Sequence, residues 1–369
     1  MIPQQLIQDV FNQFKTNDTF LSSKPYGSGH INDTLLVRTE KTIGNEHDYI
    51  MQRINHNVFK NIPELMDNIV RVTEHVHKKL LEIPNSRPEV ETLIVILTKK
   101  DDQPYIIDSE GNYWRMYIFI SEGVTHDLVT DYNMAYQGGQ KFGQFQRLLD
   151  DLPGGPLFET IPEFHNIELR LKTLFEAKTQ DIKSRAKNCQ AELDFIEKNA
   201  PFMFEVLRLG QDKKIPLRVT HNDTKFNNVL LDSENKGLCV IDLDTVMPGY
   251  VHYDYSDSIR TVTNTSMEDE ADLSKVNMDM NLFEGYTKGF MEEVAASLNL
   301  IEKESLGRSV KLLPFTIGVR FLTDYLQGDK YFKIHTPDHN LKRAKVQFKL
   351  TQSIIDQQDK IDEFFKPYL

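Results

Sequence analysis

At 369 residues the chain exceeds one ordinary hydrophobic core, and 40% hydrophobic with 27% charged residues is everyday globular usage. With 43 basic against 55 acidic side chains, a net charge of −12, the surface repels phosphate backbones, so nucleic acid is not expected as a partner. Two cysteines, Cys189 and Cys239, build neither a disulfide framework nor a zinc site and suit a reducing, cytoplasmic compartment. The longest aliphatic run, 93–97, is far short of the roughly 20 residues that cross a bilayer, and the start lacks the basic and apolar regions of a leader, so no membrane partner is expected.

In chain order, MIPQQLIQDVFNQF reads as an amphipathic helix with Leu6, Val10 and Phe14 on one stripe. Segment 26–34 (YGSGHINDT) is small and polar. Two β-like runs follow, LLV and YIMQRI, around the turn-rich EKTIGNEHD, which predicts a hairpin with a glycine loop at its start. Ile62, Leu65, Met66, Ile69, Val72 and Val76 recur at helical spacing over 62–81. Strands are expected at 93–98 and in YWRMYIFI after the turn DSEGN. From Gly123 onward helical periodicity dominates, at 133–149, 167–187, 192–209, 280–298, 312–326 and 340–365, with a β island at 218–244. The pattern is α+β with two lobes, strand-rich then helical, joined near 120–123.

The chemistry concentrates in 219–249, VTHNDTKFNNVLLDSENKGLCVIDLDTVMPG. An HxD is followed by Asn228, a short apolar strand, a turn at 232–237 and a second strand that ends in Asp242. A hairpin centred on Asn235 sets Leu231 against Cys239 and Asn228 against Asp242, with paired β-carbons about 5 Å apart. An amide oxygen and a carboxylate then meet at the open end, which Asp223 also feeds. Few protein oxygens completed by substrate phosphates suit Mg2+. The set matches the kinase template: Asp223 takes or orients the acceptor hydroxyl proton, and Asn228 and Asp242 hold the metal that bridges the ATP phosphates. His221 is expected to brace the loop. GSGHIN, at 27–32, fits a GxGxxG phosphate loop except that Asn32 replaces the last glycine. It opens a hairpin, where a phosphate-covering loop of a kinase belongs, and no GxxxxGK[ST] is present.

HNDTKFNN and CVIDLDTVMPG resemble the aminoglycoside phosphotransferase superfamily, whose fold is protein-kinase-like. GHINDT, YIMQRINHNVF, FHN, YDYSDSIR and RFLTDYLQGD are further similar to bacterial N-acetylhexosamine 1-kinases, in patches that run from Gly29 to Asp329. The resemblance implies a strand-rich nucleotide-binding lobe over 1–122 and a catalytic, acceptor-binding lobe over 123–369. It implies ATP- and Mg2+-dependent phosphorylation of the anomeric hydroxyl of a small amino sugar, GlcNAc or GalNAc. Asp223 would be the catalytic base and Asn228 and Asp242 the metal ligands. Gly27, Ser28, Gly29, His30, Asn32 and Thr34 would cover the phosphates, with adenine against the joint near Tyr117 and Ile120.

One departure stands out. The third-strand lysine or arginine that holds the α- and β-phosphates has no clear counterpart. YIMQRI aligns Gln52 there with Arg53 beside it, and alternation sends the two to opposite faces. Arg53 would serve only on a bulged or slipped strand, and Glu64 is a candidate for its helix partner. Among weaker candidates, Asp244 either assists the metal or orients its loop. Asp254 and Asp257 either cap a helix or brace the catalytic loop with Arg260. Arg320 and Asp324, i,i+4 on one helix, either pair or contact the acceptor together with Tyr325. His165 is structural or near the acceptor. The acidic run 267–272 reads as a solvated loop.

Overall fold

The computed structural model describes residues 2–27, 29, 31–40 and 47–369. Helix α1 (Gln4–Phe11) leads into strands β1 (Phe20–Pro25), β2 (Asp33–Thr39) and β3 (Tyr49–Ile54), then helices α2 (Ile62–Leu81) and α3 (Pro88–Glu91). Strands β4 (Ile106–Ile107) and β5 (Tyr113–Ile118) complete an antiparallel five-stranded sheet of order β1-β2-β3-β5-β4. The stripe of α1 that enters the core is Ile7, Val10 and Phe11, with Phe14 beyond its end. They pack on Leu35, Val37, Met51, Trp114 and Met116 of one sheet face, and Leu6 stays half-buried. Helix α2 has the span expected. Its apolar stripe, with Asn61 capping the Glu64 N–H and Lys78 and Lys79 in the last turn, accounts for both its length and its burial. The expected strand at 93–98 is irregular, held by single bonds such as Ile96 N–H to the Met116 carbonyl at 2.8 Å.

The remainder is helical: α4 (Tyr132–Leu149), α5 (Ile167–Gln180), α6 (Gln190–Asn199), α7 (Glu205–Gln211), then β6 (Arg218–Thr220), β7 (Val229–Leu231), β8 (Gly237–Val240) and β9 (Met247–Gly249), and then α8 (Val251–Val262), α9 (Met280–Val294), α10 (Leu300–Ser309), α11 (Leu312–Gln327), α12 (His339–Asp356) and α13 (Gln358–Phe365). Several expected helices are shorter or divided. The first ends at Gln180 because Asp181 turns left-handed, and Pro201 starts a short 3-10 turn that separates α6 from α7. Helices α4 and α9 touch backbone to backbone: a Cβ on Gly139 would lie 2.1 Å from the Tyr286 carbonyl oxygen. That close approach fixes α4, which carries Phe142, Phe145 and Gln146 under the catalytic loop. The sheet region joins the helical region through the stretch after β5, where Val124 and Leu231 exchange N–H to carbonyl bonds at 2.8 and 2.9 Å. The acidic run at 267–272 is a solvated loop, as expected, with Glu268 reaching Arg260 and Arg343 and Asp269 reaching His339 from its solvent-accessible side chains. No helix among the described residues is long and apolar enough to cross a membrane.

Candidate active site

Strands β6 and β9 pair Thr220 with Met247 and so bring the catalytic loop beside the turn that follows β8. His221 is fully buried. Its Nε2 donates to the Ile241 carbonyl at 2.9 Å, and its Nδ1 accepts the Asp223 N–H at 3.3 Å. With both ring nitrogens committed to backbone, the imidazole braces the loop, as expected. Asn222 adopts φ 64°, and its amide donates to the carbonyls of Thr220 and Thr245 at 3.2 and 3.1 Å. From α8, Asp254 accepts the N–H groups of His221 and Asn222 at 2.8 and 2.7 Å, plus the Gln146 amide at 2.7 Å. Of the two readings open for Asp254, the brace is the one the geometry supports. Asp257 instead accepts Arg260 Nε at 2.8 Å.

Asp223 follows this base, about one quarter exposed, with Lys225 Nζ 3.1 Å from its carboxylate. Burial alone would raise its pKa, but Lys225, His221 and Arg260 outweigh it and hold the carboxyl below its usual range. Lys225 is raised in turn, chiefly by Asp223. Asn228 donates its amide to the Asp223 carbonyl at 2.7 Å, which leaves Oδ1 as the oxygen for other company. The hairpin register is one residue off the expected one: Leu230 faces Cys239, and Ile241 N–H bonds the Asn228 carbonyl at 2.9 Å. An irregularity between Leu230 and Leu231 absorbs the difference. Asn228 is therefore opposite Ile241, and Asp242 is one step further on, in the left-handed conformation with φ 61° and ψ 59°. Its side chain is exposed and makes no hydrogen bond or ion pair among the described residues. Surrounding protein, Asp244 and Asp223 push its carboxyl up to about 6. An exposed carboxylate with no ion pair among the described residues is the kind of oxygen donor a hard cation takes.

Asp244 stands differently from the metal role considered for it. It is almost fully buried, ion-paired with Arg115 of β5, and accepts the Asn32 amide at 2.6 Å. Asn32 also accepts the Asn55 N–H at 2.9 Å, so the end of the glycine loop is bound to the turn that carries Asp242 and Asp244. Gly27 has φ +75°, and a Cβ on Gly27 or Gly29 would meet nothing within 4 Å, which leaves open space over the loop. Ser28 and His30, expected to share this loop, lie outside the described residues. Thr34 Oγ1 accepts from Gln52 Nε2 at 3.0 Å. Arg53 is turned to the opposite face and bonds Asp33 at 2.9 and 2.6 Å, so the geometry does not bring it to the phosphates. Tyr117 is buried under Arg115, 5.4 Å from its guanidinium. Ile120 packs with Leu238 and Cys239 where the two regions meet.

The wall beyond Asp223 comes from α11 and two loops. His165 Nε2 bonds the Asn222 carbonyl at 2.9 Å, and burial pushes its imidazole down to about 3. Phe164 lies tilted against His165, with ring centroids 4.5 Å apart. Arg320 lies over Phe164, Phe332 and Tyr331 at 5.1, 5.6 and 5.7 Å and has no ion pair or hydrogen bond among the described residues. Arg170 is close enough that burial and the charge of Arg320 lower it to about 10. Asp324 does not pair with Arg320. It accepts the N–H groups of Lys330, Tyr331 and Phe332 at 2.8, 2.9 and 2.9 Å, so it holds the rings that frame Arg320. Tyr325 is buried beneath Arg185, 4.5 Å away, and does not line this wall. Sequence reasoning missed Arg115 and Lys225. Lys225 had a signal, a lysine two residues after the HxD aspartate; Arg115 had none without the strand order.

The model of the phosphotransferase enzyme family matches residues 22–280, which take in Asp223, Asn228, Asp242 and the glycine loop but stop short of α11 and Arg320, and the chain belongs to that family. It is a small-molecule phosphotransferase. Solved structures agree on the fold. An aminoglycoside phosphotransferase from Alicyclobacillus acidocaldarius is 13% identical with a TM-score of 0.61, over 98% of this chain and 97% of that one. Spectinomycin phosphotransferase APH(9)-Ia, seen with ADP and spectinomycin, is 13% identical at 0.58, over 97% and 99%. Amicoumacin kinase hAmiN, seen with AMP-PNP, Ca2+ and Ami, is 13% identical at 0.53, over 96% and 93%.

Proposed function

We propose that the enzyme transfers a phosphoryl group from ATP to the anomeric hydroxyl of an N-acetylhexosamine. ATP supplies the group transferred, and bound Mg2+ would neutralise its oxygens. Asp223, held ionised by Lys225, orients the acceptor hydroxyl and takes its proton as the oxygen–phosphorus bond forms and ADP leaves. Lys225 stays cationic through the step. Asn228 Oδ1 and the Asp242 carboxylate would hold the metal, whose requirement for hard oxygens their chemistry fits. The 27–34 loop covers the phosphates, and the joint at Tyr117 and Ile120 takes the adenine. The sheet region acts as the nucleotide lobe and the helical region as the acceptor lobe. An enzyme that spends ATP and keeps Cys189 and Cys239 as free thiols belongs in the cytoplasm.

The observation that carries the sugar reading is Arg320. A guanidinium without an ion pair among the described residues, ringed by Phe164, Tyr331 and Phe332 and joined through His165 to the catalytic loop, favours an oxygen-rich neutral acceptor. It opposes a cationic acceptor such as choline or an aminoglycoside, which the net charge of −12 alone would have favoured. The test is a phosphorus NMR screen of products from a panel of N-acetylhexosamines, aminoglycosides, choline and homoserine. An acid-labile phosphate formed from N-acetylhexosamines supports the proposal. An acid-stable phosphate formed from an amine alone overturns it.

A further inference from the structure

We infer that Arg115 is the cation that grips the ATP phosphates in this chain, supplied by β5 rather than by β3. The inference rests on the ATP part of the function proposed above and not on the identity of the acceptor.

Side-chain alternation and register place it. In the ladders Thr34 pairs with Gln52, and Gln52 with Arg115, so the three form one row on one sheet face. Arg53, Asp33 and Trp114 form the neighbouring row on the other face. The polar row is bonded along its length: Gln52 Nε2 to Thr34 Oγ1 at 3.0 Å, Arg115 Nε to Gln52 Oε1 at 2.9 Å, and Arg115 Nη1 to Asp244. It thus runs from the end of the glycine loop to the turn that carries Asp242. Kinase-like sites need a cation on this face of the sheet to hold the α- and β-phosphates, and β3 offers the neutral Gln52. Arg115, directly across the ladder, carries the charge instead.

Two features set Arg115 apart from an ordinary buried ion pair. Replacing such a pair by apolar groups is often neutral or stabilising, so folding by itself does not call for a guanidinium here. Nη2 also makes no hydrogen bond with protein among the described residues, while Nε and Nη1 are committed. The side chain is 1% exposed, and a fork fixed on two sides, with its third arm unbonded among the described residues, has that arm alone to offer a phosphate oxygen. Asp244 does for Arg115 what a helix glutamate does for a strand lysine. Glu64 on α2, the candidate for that role, makes no ion pair among the described residues.

The test compares calorimetric binding of ATP, ADP and adenosine to wild type and to Arg115→Met, with chelator present so that the metal plays no part. Loss of a charged hydrogen bond predicts at least about tenfold weaker ATP and ADP binding, with adenosine changed by less than about twofold. ATP affinity unchanged in a folded Arg115→Met, or adenosine weakened as much as ATP, overturns the inference and leaves Arg115 a prop for Asp244. If Arg115→Met does not fold, Arg115→Lys carries the test. It keeps a charge but loses the fork, so ATP should weaken by roughly three- to tenfold with adenosine unchanged, and an unchanged ATP affinity or an equal loss for adenosine overturns the inference. Wild type that binds no ATP removes the nucleotide reading and this inference together. Wild type that binds ATP but phosphorylates no sugar removes only the acceptor.

Discussion

Asp254 Oδ2 accepts the backbone N–H of His221 at 2.8 Å while its Oδ1 accepts that of Asn222 at 2.7 Å, so one buried carboxylate on α8 sets the two peptides before Asp223. Asp254→Asn turns one acceptor into a donor facing an N–H. We expect a loss of about 2–4 kcal/mol in stability, measured by denaturant unfolding. Turnover in the fraction that stays folded should fall more than the affinity for ATP, because the displaced group is Asp223 and not the nucleotide loop.

The Gly139 contact predicts a stability effect far from the chemistry. Alanine there would push α4 off the Tyr286 carbonyl. We expect Gly139→Ala to cost roughly 1–3 kcal/mol or more despite its better helix propensity. A thermal midpoint equal to or above that of wild type would show that the helices do not meet as described.

Acid should destabilise the fold through two buried imidazoles. Burial pushes both His165 and His252 down to about 3 from an unfolded value near 6.5. The unfolded chain therefore binds more protons. The stability each contributes is complete above pH 6.5 and drains away as pH falls from there toward 3, by up to about 1.4 kcal/mol per pH unit for each. Unfolding free energy measured between pH 6 and 4.5 should fall less steeply, by about one proton, in His252→Gln than in wild type.

The hairpin at 229–240 was legible because it is local: His221, Asp223, Asn228 and Asp242 lie within one short stretch that codes its own turn. The same compactness gave the α2 helix, whose apolar stripe is self-evident. What sequence could not supply was pairing over distance. Gln52 and Arg115 become neighbours only once β5 inserts beside β3, and nothing local announces that order. The shift of Asn228 from Asp242 to Ile241 comes from the irregularity at Leu230 and Leu231, which composition does not reveal. Asp324 looked like a partner for Arg320 by helical spacing, yet the backbone of the following loop satisfies it first.

Arg320 should govern the acceptor and not the nucleotide. Arg320→Ala is expected to raise KM for N-acetylhexosamine by about tenfold or more, with KM for ATP little changed, since it removes a charged hydrogen-bond donor from one subsite. Steady-state rates with each substrate varied in turn check this, and equal rises in both constants would place Arg320 elsewhere.

The central claim is that Asp223 handles the acceptor hydroxyl beside a metal held by Asn228 and Asp242. Acceptor-stimulated ATP consumption by wild type and Asp223→Ala, alongside their ATP affinities, tests it most directly. The account predicts that the variant binds ATP like wild type but turns over at about a hundredth of the rate or less. A variant that keeps more than about a tenth of wild-type turnover would contradict it.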